Sequence, residues 1–204
     1  MRMILSHIAY PVLMARWEPD TPMRLVRAAL GLFAEQGYDA TTVAQIAERA
    51  GGLSKMTFFR HFPDKREVLF AGQSIHSQIL ADAIAAAPAP ATPLQAVAGA
   101  LDALAVTFTD DRREFSARLL AVIAGSSELR ERAASKHAGL ARAMTAALEK
   151  RGVPELTACL AAELGVRAFD RAFEQWADLA SEQQLAEIAR CALDELRAAA
   201  ATLD

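Results

Sequence analysis

The sequence predicts an all-α protein of about nine helices, on three observations. Hydrophobic residues make up 53% of the 204, with many Ala and Leu and few β-branched runs, which suits a helical chain with a real core. Apolar residues recur at helical spacing through most of the chain. Between Thr41 and Lys65 two short helical patterns are joined by Gly51-Gly52 and stopped by Pro63, the layout of a helix-turn-helix.

Residues 1–20 stand apart. Met1 to Met14 are fairly apolar, interrupted by His7 and Pro11, and the run is too short to span a bilayer. No small-residue cleavage site follows, which argues against a signal peptide. A flexible arm is expected, or an upstream start codon with Met14 as the natural start. A basic arm for the minor groove would rest on Arg2 and Arg16 alone. Asp20-Thr21-Pro22 then reads as a helix start, with Leu25, Val26, Ala29, Leu30, Leu32 and Phe33 as its apolar stripe and Gly37 as its end.

Thr42 can cap the next helix, with Gln45 three residues on as in a capping box. Gly51-Gly52 supplies the positive φ of a tight turn. Ser54 caps the second short helix, Phe58 and Phe62 hold it to a core, and Lys55, Met56, Thr57, Arg60 and His61 lie on or near its outward side. In a helix-turn-helix this second helix enters the DNA major groove. Ser54 and Thr57 offer hydroxyls to phosphates or bases, and Lys55, Arg60 and Lys65 offer charge to phosphates. Lys55 also has the reach for a guanine, and Met56 or Phe59 for a thymine methyl. Net charge is −3, yet residues 1–72 sum to +2 and residues 73–204 to −5, so the basic part is the part with this motif.

The run A-L-G-L-F-A-E-Q-G-Y-D-A-T-T-V-A-Q-I-A-E-R-A-G, followed by S-K-M-T-F-F-R-H-F-P-D-K-R-E-V-L, resembles the DNA-binding domain of the TetR family of transcriptional regulators. The resemblance implies that Thr42, Phe59, His61 and Lys65 grip the DNA backbone. Two departures stand out. Gly52 is one residue more than the family's turn usually holds, and Phe59 replaces a usual Tyr, without the hydroxyl that would reach a phosphate. The segment Glu128 to Gly152 resembles actinobacterial TetR-type ligand domains, including the subgroup tied to mycofactocin clusters.

The rest reads as a helical body. Asp64 is expected to cap one long helix running to about Ala87, followed by a loop from Pro88 to Pro93. Further helices are expected over about 93–109, 111–124, 127–150, 154–179 and 182–200, the last capped by Ser181. The division is an extension 1–20, a helix-turn-helix domain 21–70 and an effector-binding and dimerisation domain 71–204. Small residues Ala161, Gly165 and Ala168, with Leu164, Leu185, Ile188, Ala192 and Leu196, suggest half of a four-helix dimer interface or an intramolecular core, and the TetR resemblance implies the dimer. Phe108, Phe115, Met144, Phe169 and Trp176 suggest an apolar effector pocket, with Arg112, Arg113 and Arg118 placed to receive the acidic head of an acyl-CoA-like ligand. Cys159 and Cys191 lack metal spacing and read as reduced and mostly packed, hence cytoplasmic.

No nucleotide loop, nucleophile elbow or histidine metal site emerges, so neither enzyme activity, a metal nor a cofactor is expected. The sequence points to a homodimeric, ligand-responsive regulator, most simply a repressor that leaves a palindromic operator when its effector binds. The alternative is a helical ligand- or partner-binding protein that has lost DNA binding.

Overall fold

A computed structural model describes residues 21–203; the arm expected over residues 1–20 lies outside the described residues. Nine α-helices and two 3-10 helices form among them, with no strand. The head comprises α1 (Thr21–Gln36), α2 (Val43–Arg49) and α3 (Lys55–His61). Thr42 caps α2 in a full capping box with Gln45, and Ser54 caps α3 by accepting from the Thr57 amide, each such cap contributing about 1 kcal/mol. Leu25, Ala29, Phe33, Ile46, Phe58 and Val68 are buried together as the head's core.

The turn between α2 and α3 absorbs its extra residue. Gly51 and Gly52 both take positive φ, at 107° and 70°. The Gly52 and Leu53 amides donate back to the carbonyls of Glu48 and Ala47, at 2.8 and 2.9 Å. Both α2 carbonyls are thereby satisfied, and Ser54 still starts α3 in cap geometry.

The single long helix expected after Asp64 does not form. Asp64 accepts from the Arg66 and Glu67 amides and starts only a 3-10 helix, Arg66–Phe70. The chain then breaks at Gly72, whose φ of 93° no helix accommodates, and α4 spans Gln73–Ala86. The body continues with α5 (Pro93–Ala105), a 3-10 turn Asp110–Arg112, α6 (Arg113–Ala124), α7 (Ser127–Lys150), α8 (Glu155–Ala177) and α9 (Leu185–Ala200).

Two ends differ from expectation for local reasons. Helix α5 stops a turn before residue 109, because the Thr107 amide and hydroxyl both return to the Leu104 carbonyl and the Phe108 amide to Ala105. Helix α9 starts at Leu185 after Gln184, not after Ser181. The Ser181 and Gln183 carbonyls instead accept from the Arg113 guanidinium, which pins the 178–184 segment outside the helix.

Helices α4, α5, α7, α8 and α9 enclose the body's core. The head's core is not confined to the head: Val122 of α6 and Leu129 of α7 are buried in it. Cys159 and Cys191 are free but exposed, not packed as expected. No helix among the described residues is long and apolar enough to cross a membrane.

Candidate functional site

Helix α3 packs against the head's core through one side and leaves the other open. Phe58 and Phe62 are buried, 5.5 Å apart between ring centres, and fix which side of α3 faces inward. The opposite side presents Lys55, Met56, Phe59 and Arg60, with Met56 81% and Phe59 53% exposed. The Phe59 ring stands edge-on to Phe58 at 5.5 Å, which steadies an otherwise solvent-facing aromatic. Ser54 and Thr57 hydroxyls bond each other at 3.0 Å across the first turn, and Thr42 is exposed at the start of α2. Two cations, two apolar tips and the hydroxyls thus share one face, a set that can reach both phosphates and base edges.

Two expected contact residues are placed differently. Lys65 turns inward: its ammonium donates to the Tyr38 and Thr41 carbonyls at 2.8 and 3.0 Å and lies over the Tyr38 ring. It closes the loop between α1 and α2 and is not a free cation. His61 is half-buried, with Nε2 shut from solvent and unbonded.

The head meets the body through polar contacts that sequence reasoning missed, since they join residues more than sixty positions apart. The Tyr38 hydroxyl donates to Glu128 at 2.8 Å, and Arg66 pairs with the same carboxylate at 3.4 Å. Glu67, nearly enclosed, pairs with Arg132 and, at 3.1 Å, with Lys136 of α7. Burial pushes the Glu67 carboxyl's pKa up, but the two cations more than offset this and hold it below the ordinary carboxylate value. Burial and the bond to Glu128 push the Tyr38 phenol's pKa well up.

In the body, Phe108, Phe169 and Trp176 do come together, joined by Phe173. Phe108 lies 5.7 Å from Phe169, 5.3 Å from Phe173 and 6.2 Å from Trp176. The His76 ring joins at 5.5 Å from Phe108; burial first, then Arg112, lowers its pKa. Met144 lines a small adjoining cavity. Phe115 does not join them; it packs against the head's core. Of the three arginines expected at the pocket mouth, Arg112 lies near His76 and the aromatic cluster, while the other two are engaged elsewhere. Arg113 is spent on Ser181, Gln183 and Asp110 with its guanidinium over Trp176, and Arg118 pairs with Glu114.

The residues expected to form a dimer seam are packing within the chain. Ala161, Gly165, Ala168, Leu185, Ile188 and Ala192 are buried, and Leu164 and Leu196 pack against the same core. Gly165 is small because α5 crosses there: a Cβ would meet Val97 at 2.5 Å. The outer side of α8 instead exposes Leu156 at 73% and Leu160 at 57%.

Residues 25–71 match the family model described as bacterial regulatory proteins, tetR family. The chain is 46% identical over 81 residues to the HTH-type transcriptional regulator TcmR of Streptomyces glaucescens, covering 40% of this chain and 35% of that protein. It thus spans about a third of the length of the curated relatives it matches. The fold resembles the transcriptional regulator FadR from Bacillus subtilis, solved with stearoyl-CoA, with a TM-score of 0.54, 19% identity and coverage of 85% and 96% of the two chains. It also resembles NalD, the secondary repressor of the MexAB-OprM efflux pump in Pseudomonas aeruginosa, at 0.51, 20%, 87% and 94%.

Proposed function

We propose, from the match of residues 25–71 to the tetR family of bacterial regulatory proteins, that this protein is a cytoplasmic, DNA-binding transcriptional repressor acting as a homodimer. The observation that carries the reading is the capped, firmly seated α3 with Lys55, Met56, Phe59 and Arg60 outward. In a dimer two such helices would enter successive major grooves of a palindromic operator. Lys55 and Arg60 supply phosphate contact, with Thr42, Ser54 and Thr57 at its edges, and Met56 and Phe59 supply apolar contact to thymine methyls. Exposed Leu156 and Leu160 on α8 favour that helix's outer side as the dimer seam.

The effector belongs in the body, beside the aromatic cluster, and is small and mainly apolar. An acyl-CoA-like head would need cations at the pocket mouth, and with Arg113 and Arg118 engaged, Arg112 is the one of the three expected arginines left to meet it. An effector acts by binding the DNA-free state more tightly. Movement of α7 would reach the head through Glu67 and Glu128. A mobility-shift assay with the gene's own upstream DNA tests the reading. A folded protein that shifts none of that DNA supports instead a helical ligand-binding protein without DNA contact.

A further inference from the structure

The cavity at the centre of the body is lined by side chains of α4, α5, α7 and α8, among them Leu80, Leu104, Met144, Val166 and Phe169. Its wall holds one charged group, Asp170, and no Lys or Arg. Asp170 lies one residue from Phe169, is only 20% exposed, and faces His137 of α7, whose Nδ1 is 3.2 Å from its carboxylate. His137 offers the carboxylate one ring nitrogen, where an Arg or Lys would bring several N–H donors on a fixed charge. The space open to a water's centre is about 10 Å³, room for about one water. A ligand must therefore part the side chains, and the aromatic rings beside Phe169 are what it would move.

An apolar cavity with a single carboxylate selects for charge as well as for greasiness. A neutral ligand leaves the carboxylate with His137 as its partner, and an anion adds repulsion. A protonated amine on an apolar body gives the carboxylate a charge-assisted hydrogen bond while its chain meets the apolar lining. We infer that the effector class is a lipophilic amine, with its ammonium on Asp170 and its apolar part among Leu80, Leu104 and Met144. The inference rests on the reading of the body as an effector domain, and it narrows that reading from apolar ligands to cationic ones.

The test uses the full chain and three ligands of equal chain length: decylamine, decanol and decanoate, titrated calorimetrically at neutral pH below their aggregation limits. Decylamine should bind roughly ten-fold more tightly than decanol, with decanoate weakest, because desolvating the ammonium cancels part of the Coulomb gain. In Asp170→Asn the advantage of decylamine should fall to about two-fold or less while decanol binding persists. Equal binding of all three by the unmodified protein, or preference for decanoate, overturns the amine assignment but leaves an effector body intact. An amine preference that survives Asp170→Asn overturns the assignment to Asp170. Binding of none of the three overturns both the assignment and the effector reading. The charge series on the unmodified protein decides the ligand class even if the variant does not fold.

Discussion

The Lys65 ammonium sits 3.9 Å from the centre of the Tyr38 ring, twenty-seven positions back in the chain, while bonding the Tyr38 and Thr41 carbonyls. Lys65→Met should therefore lower the melting temperature of the head, by losing charge-assisted bonds worth about 1.5–3 kcal/mol each before compensation by water. At a temperature where the variant is folded, the salt dependence of DNA binding should be unchanged. A slope flattened by about one phosphate's worth would return Lys65 to the DNA surface.

Lys55 and Arg60 carry the opposite expectation. Each is exposed on α3, and Lys55→Ala or Arg60→Ala should leave thermal stability nearly unchanged. Each should weaken binding to all DNA sequences, with the slope of log K against log salt reduced by roughly 0.9 for each phosphate no longer neutralised. Fluorescence anisotropy over a salt series reads this directly; full affinity in both variants would move the DNA surface away from α3.

The two turn glycines should respond unequally. At Gly51 φ is 107°, which L side chains rarely adopt, so Gly51→Ala should cost about 1–3 kcal/mol even after the flexible end of Arg24 moves away from the new Cβ. At Gly52 φ is 70°, inside the left-handed region that Asn tolerates, with nothing within 4 Å of a Cβ, so Gly52→Asn should cost less than about 1 kcal/mol. Chemical denaturation distinguishes them; equal losses would mean that the turn relaxes away from the φ of 107° at Gly51.

His76 gives the body a pH dependence of known sign. Its folded pKa lies below the ordinary 6.5, chiefly through burial against Phe108 and then through Arg112. Above pH 6.5 both folded and unfolded chains carry it neutral, and its full contribution is present. As the pH falls through 6.5 toward the folded value, only the unfolded chain takes the proton, and stability drops. The melting temperature should fall more between about pH 7.5 and 5.5 in the unmodified protein than in His76→Phe. Equal falls would place the acid sensitivity elsewhere, and not at Glu67, whose lowered pKa acts only below about 4.5.

Dimerisation separates surface from core on α8. Leu160→Glu, on the outer side, should yield folded monomers by light scattering. Gly165→Leu should destabilise the protomer itself, because the new side chain would drive into Val97 and Met144. A dimer that survives Leu160→Glu would move the seam off this face.

Much of this is legible in the chain because its signals are local. The Thr42–Gln45 capping box, the Ser54 cap and the span of α7 over 127–150 follow from residues within one or two turns. The break at Gly72 escapes a sequence reading because apolar spacing continues across it, and a lone glycine inside such a pattern looks tolerable. The small residues of α8 are ambiguous for a physical reason: Ala161 and Gly165 permit close approach of any helix, and the helix that approaches is α5 of the same chain. Lys65, Glu67 and Arg113 find their partners far along the sequence, so their inward roles have no local signature.

Whether α3 reads DNA from a dimer is tested most directly by hydroxyl-radical footprinting on the gene's upstream region. Two protected patches should appear, related by a two-fold axis, their centres about one helical turn or a whole multiple of it apart. Both should vanish in the double variant Lys55→Ala, Arg60→Ala. Protection that is continuous and indifferent to sequence, or that persists in the double variant, would contradict a dimeric reader built on α3.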